Sequence, residues 1–164
     1  MRTTADNLLH WISDAVHQGG WPAISVFTVH VIASQGFDAY LRFPALDIPM
    51  HFLGGVAIAY FFHRASIAAS SHAIIGPFHA VTHTILLLAL TTATTVFWEF
   101  AEFLSDRYRG THAQLGLNDT MGDMLLGICG GIALLVALRF AKSTPNATTK
   151  LGNIAAHVPE SEAR

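Results

Sequence analysis

The chain of 164 residues is long enough for one compact unit and too short for two ordinary domains. Only 12% of it is charged and 52% is apolar, with a mean hydropathy of +0.44, so charge is too scarce to cover a soluble surface and lipid is the expected solvent. A net charge of −2 excludes the basic footprint of a nucleic-acid binder, and a single cysteine in an apolar run, Cys129, excludes a disulfide framework or a thiolate zinc site.

The first twenty residues carry Asp6, Asp14 and two histidines where a signal peptide needs an apolar stretch, so none is expected. Leu8, Trp11, Ile12, Ala15 and Val16 fall at helical spacing within 5–17, the pattern of a short amphipathic helix at the membrane interface. Gly19-Gly20 is expected to break it, and Trp21-Pro22 suits the start of a new helix. No Asp, Glu, Lys or Arg occurs between Ala15 and Phe37, which places a first span at about 22–40. After a turn marked by Asp38, Arg42 and Pro44, a second span runs over about 47–63, with Asp47 as an expected N-cap ahead of Pro49.

The third span is expected at about 78–104, with threonines that can return their hydroxyls to carbonyls one turn back. A polar loop separates it from a fourth span at about 119–140. There Gly127 and Gly131 have the spacing that lets helices approach closely, and Gly54 and Gly55 offer a similar surface on the second span. The expected fold is an all-α membrane protein of about four transmembrane helices preceded by a short interfacial helix. The implied division is 1–18 for the interfacial helix, 19–142 for the transmembrane domain and 143–164 for a flexible polar tail.

With four spans, six of the nine basic residues fall on the side of the termini: Arg2, Arg64, Arg139, Lys142, Lys150 and Arg164. That bias favours both termini in the cytoplasm of a multi-pass inner-membrane protein.

Ionisable groups inside spans are costly, so each needs a reason. Here they pair at helical spacing: Asp47 with His51, Glu99 with Glu102, and Asp119 with Asp123. The start of the second span, the end of the third and the start of the fourth all meet the same, non-cytoplasmic leaflet, so the three pairs share one depth. Carboxylates this close cannot all ionise without compensation. Arg107, Arg109 or a divalent metal ion could supply it; a His-plus-carboxylate set suits zinc, manganese or non-haem iron, and its oxygen-rich portion also suits magnesium or calcium. His30, in mid-span, could reach the same site. A metal or catalytic site, a buried hydrogen-bonded network that pins helices, and acids that simply face water all remain open.

His72, His79 and His83 fall at the other end, because His79 and Glu99 are 20 residues apart, or roughly 30 Å along a helix. They read as interfacial with a weak claim to metal, and His10, His17, His63, His112 and His157 read as interface or loop residues.

His51-Phe52-Leu53-Gly54-Gly55, then Trp98-Glu99 with Glu102, then Asp119-Thr120-x-x-Asp123-Met124 with Gly127, resembles the VanZ-like and YjdF-like group of small bacterial membrane proteins over about residues 47–131. The resemblance implies a small helical membrane protein without implying a known reaction. It leaves two functional readings. One is an enzyme acting on a lipid or lipid-linked envelope substrate, with His51 as base or ligand and Glu99, Asp119 and Asp123 holding a cation. The other is a non-enzymatic scaffold or binding protein whose buried acids fix helix packing. The bilayer is the expected partner, and a homo-oligomer is left open.

Overall fold

The computed structural model describes residues 4–143, with side chains described through residue 141. Of the polar tail expected over 143–164, Ser143 ends the last helix and the rest lies outside the described residues. Among the described residues there are five α-helices: α1 (Thr4–Val31), α2 (Ala39–Arg42), α3 (Asp47–Ser71), α4 (Ala80–Arg109) and α5 (Leu117–Ser143). The four long ones form a bundle in which α3 is central and packs most extensively on α1 and α5, while α4 lies against α3 and α5. Direction alternates along the chain. Trp11 and Gln18 of α1 bond to Ala65 and Arg64 of α3, and Gly19 meets Phe61, so the two helices run antiparallel.

The interior is made of small residues and the exterior of large ones. The buried apolar side chains are mostly alanines, among them Ala57, Ala59, Ala65, Ala68 and Ala69, whereas Phe97, Phe100, Leu125, Val136 and Phe140 stand exposed on the outside. Between helices in lipid no hydrophobic force drives association, so close backbone approach does the work and bulky side chains face the acyl chains. Together α3 with its preceding turn (Pro44–Ser71), α4 (Ala80–Arg109) and α5 (Leu117–Ala141) are long and apolar enough to cross a membrane. The protein is thus an all-α membrane protein with three candidate spans.

The N-terminal quarter differs from the sequence expectation. In place of an interfacial helix, a break and a span over 22–40, α1 runs unbroken from Thr4 to Val31 with Pro22 inside it. Gly19 is not a break but a point of approach: a Cβ there would lie 2.9 Å from the Arg64 Cβ and 3.3 Å from the Phe61 backbone. A glycine that lets two helices touch gains packing that outweighs its low helix propensity. The helix then loosens into one π-type turn (Ile32–Gly36), and the chain reverses at Asp38, which adopts a left-handed φ of 48°.

The other helices overrun their expected ends. α3 continues eight residues beyond His63, and α4 runs five beyond Leu104. The N-cap position of α3 is Leu46, so Asp47 is its first helical residue and makes no cap bond. Glycines stand where the helices approach one another most closely. A Cβ on Gly55 would overlap the Gly127 carbonyl, one on Gly127 the Thr95 methyl, and one on Gly131 would lie 2.8 Å from the Thr91 methyl. Gly130, which the spacing argument passed over, presses on the Phe52 carbonyl. Gly54 does not serve packing, for a Cβ there meets nothing within 4 Å.

Candidate functional site

The alternation of helix direction brings the start of α3, the end of α4 and the start of α5 to one end of the bundle. His51 lies at the centre of what converges there. Its Nε2 is 3.3 Å from Asp47 Oδ1 and 3.8 Å from Asp123 Oδ2, and its Nδ1 is 3.7 Å from Glu99 Oε1. The side chains of His51, Glu99 and Asp123 are 9%, 6% and 8% exposed, against 25% for Asp47, so the cluster is enclosed with one acid at its rim. Among the described residues, two groups have ligand-type atoms within 4.8 Å of one another: Asp47–His51–Asp123 and His51–Glu99–Glu102.

Hydrogen bonds sort the acids by task. Glu102 Oε1 accepts from the Trp98 indole one turn back at 2.9 Å. Glu99 Oε2 accepts from Gln114 Nε2 at 3.2 Å, and the same amide donates to the Glu99 carbonyl at 3.0 Å. Glu99 Oε1, by contrast, is buried with no hydrogen-bond partner and faces the His51 ring. A buried carboxylate oxygen without a donor costs more than the bond it lacks, so its surroundings are the first place to look for function.

The loop between α4 and α5 is fastened over this cluster. Gly110, with a φ of 68°, ends α4. Asp106 then accepts from the Thr111 hydroxyl at 2.6 Å, the Ala113 amide at 2.8 Å and the Gln114 amide at 2.9 Å. From the far side, Asp119 accepts from the Leu115 amide at 2.9 Å. Two carboxylates pin the loop at both ends, and that is what lays Gln114 onto Glu99.

Several sequence-derived site residues take other roles. Asp119 lies outside both ligand-type groups because its carboxylate turns back to the loop. Arg107 and Arg109 do not neutralise the acids: both are exposed, and among the described residues neither forms an ion pair with them. α4 runs seven residues, about two turns, past Glu102, which carries the two arginines to the rim. His30 stays outside the carboxylates. Its Nδ1 is 3.0 Å from the Tyr40 hydroxyl and its ring meets Trp98 edge-on at 5.3 Å.

The sequence reading missed Gln114, Asp106 and Tyr40. None had a periodic signal to find. Gln114 and Tyr40 sit outside the long helices, and Asp106 acts on residues five to eight positions ahead rather than on a helix face.

Beside the cluster, an apolar cavity of about 350 Å³ lies between α1, α3 and α4. Ile24, Phe27, Ile58 and Trp98 wall it, Gly54 leaves it open, and His30 and His51 are its polar end. The residue expected to pack helices thus keeps a passage clear to the central histidine.

At the opposite end the histidines form two ring pairs, His63 with His83 at 5.8 Å and His10 with His72 at 6.1 Å between centroids, while His72, His79 and His83 each have a separate polar partner. His72 Nε2 meets Asp14 Oδ2 at 2.7 Å, His79 caps α4 through Val81, and His83 meets Ser66 at 2.7 Å. His63, read as interfacial, is buried.

A family model described as a predicted membrane protein, DUF2238, matches residues 20–144, and the chain belongs to that family. No curated protein and no solved structure matches the chain.

Proposed function

We propose that this DUF2238 membrane protein holds a divalent cation on His51, Asp47 and Asp123 and uses it on a lipid or lipid-linked substrate that enters through the apolar cavity. The observation that carries the reading is the set of four carboxylates around one imidazole, with no lysine or arginine paired to them among the described residues. Enclosed carboxylates need a counter-charge, and a cation supplies more of it than one histidine can.

The two nitrogens of His51 divide the work. Metal-ligating imidazoles bind through one nitrogen and donate the other N–H to a carboxylate or carbonyl. With Nε2 on the cation, between Asp47 and Asp123, the Nδ1–H points to Glu99 Oε1, the acceptor that otherwise has no donor. The opposite choice is less favourable, because Glu102 Oε1 is bonded to Trp98 and Glu99 Oε2 to Gln114. One nitrogen and two carboxylates suit zinc, manganese or iron and leave coordination positions for water and substrate. Held there by His51, Asp47 and Asp123, a cation would supply Lewis-acid polarisation of an ester or phosphoryl oxygen and would acidify a bound water. The acyl or isoprenoid part of the substrate would lie along Ile24, Phe27 and Ile58, in a cavity of the size that small ligands occupy. This reading has α1 cross the bilayer beside α3 as a fourth span, in an inner membrane, with the cluster near the leaflet opposite the termini.

A second reading is favoured by the Trp98–Glu102 and Gln114–Glu99 bonds: a scaffold in which the acids tie α4 and its loop together. Metal analysis of the purified full chain separates the two. About one equivalent of zinc, manganese or iron, lost in Asp123→Asn while the variant stays folded, supports the cation site. Protein that remains metal-free after exposure to all three, with Asp123→Asn merely less stable, leaves the scaffold.

A further inference from the structure

A second cavity, of about 570 Å³, lies at the other end of the bundle between α3, α4 and α5. It is far from the carboxylates, since Ser66 and His51 are separated by 15 residues of α3, or roughly 22 Å. Its polar lining is His63, Ser66, Ser70, His83 and Arg139, together with Thr84, and among the described residues no carboxylate lines it. Arg139 is exposed, and among the described residues its guanidinium makes no ion pair. Asp14, an acid at this end, is engaged by His72 on the α1 side.

A further feature gives the cavity its sign. Ala80, the first residue of the 30-residue α4, is part of the wall, so the positive end of that helix borders the space, with the Val81 amide already taken by the His79 ring. The Ser66 hydroxyl lies 2.8 Å from the His63 carbonyl and 2.7 Å from His83 Nε2. The remaining wall is apolar and reaches the outer surface at Ile67 and Phe78, both exposed.

We propose that this cavity binds the phosphate of an anionic membrane lipid, with Arg139 and the α4 N-terminus as its charged partners and the Ile67–Phe78 side admitting the acyl part. A guanidinium is the side chain best matched to phosphate oxygens, and a pocket half basic and half apolar, opening on the lipid-facing surface, fits a molecule that is both. The site is independent of the cation proposed above.

The test is isothermal titration of the detergent-solubilised full chain with dioctanoyl phosphatidylglycerol, dioctanoyl phosphatidylcholine and inorganic phosphate. Phosphatidylglycerol should bind at least about tenfold more tightly than either of the others. Arg139→Gln should weaken it about tenfold, Arg139→Lys less, and Arg109→Gln, at the opposite end, not at all. Equal binding of the two lipids, or an Arg139→Gln chain that melts like the parent and binds as tightly, overturns the proposal. Inorganic phosphate binding as tightly as phosphatidylglycerol overturns the lipid, leaving a plain oxyanion pocket.

Discussion

His51 Nδ1, on α3, stands 3.7 Å from the Oε1 of Glu99, on α4, and that oxygen has no other partner. The pair ties the enclosed part of the carboxylate cluster to its rim, because the opposite nitrogen of the same ring faces Asp47 and Asp123. If the ring is a ligand through Nε2, Glu99 orients it.

That division of labour predicts unequal effects of two conservative changes. Asp123→Asn removes a ligand and should abolish cation binding. Glu99→Gln keeps the shape and the Gln114 contacts, and should weaken binding by about ten- to hundredfold, as loss of an orienting partner does. Titration of metal-stripped protein with zinc or manganese reads both. Abolition by Glu99→Gln with mere weakening by Asp123→Asn would put the cation on the other side of the ring.

The glycines predict opposite outcomes one residue apart. Gly55→Ala drives a methyl into the Gly127 carbonyl and should cost about 1–3 kcal/mol, seen as a lower melting temperature in detergent. Gly54→Ala meets nothing within 4 Å and should match or slightly exceed the parent, since alanine favours helix. Equal destabilisation by both would contradict the described contact between α3 and α5.

Asp106 should control the loop without touching the cluster. Asp106→Ala removes the acceptor of the Ala113 and Gln114 amides, and those amides should exchange faster while the helices keep their protection. Cation affinity should fall with it, through loss of the Gln114–Glu99 bond, by about 1 kcal/mol.

Trp98 reports on the apolar cavity. In a chain carrying Trp11→Phe and Trp21→Phe, its fluorescence should be quenched by lipids with brominated acyl chains. Gly54→Phe, which fills the passage, should relieve the quenching. Quenching that is the same in both chains would show that acyl chains reach Trp98 only from outside.

Much of the membrane character was legible without coordinates. Low charge, uncharged runs of span length and the small-xxx-small spacing on the last helix are local properties, and lipid permits few structures for them besides helices. The convergence of His51, Glu99 and Asp123 was also readable, because alternating helix direction places the start of α3, the end of α4 and the start of α5 at one end whatever the packing details.

What the tertiary structure decided is which atom faces which. The Gly19-Gly20 pair reads locally as a helix breaker, and only the presence of Phe61 and Arg64 across from it turns it into a site of approach within a continuous α1. Asp119 and Asp123 share a spacing but not a fate, since the loop amide of Leu115 claims the first and the His51 ring faces the second. Periodicity assigns a residue to a face of its own helix. The partner on the neighbouring helix depends on rotation and depth, which are set by contacts far apart in the chain and carry no local signature.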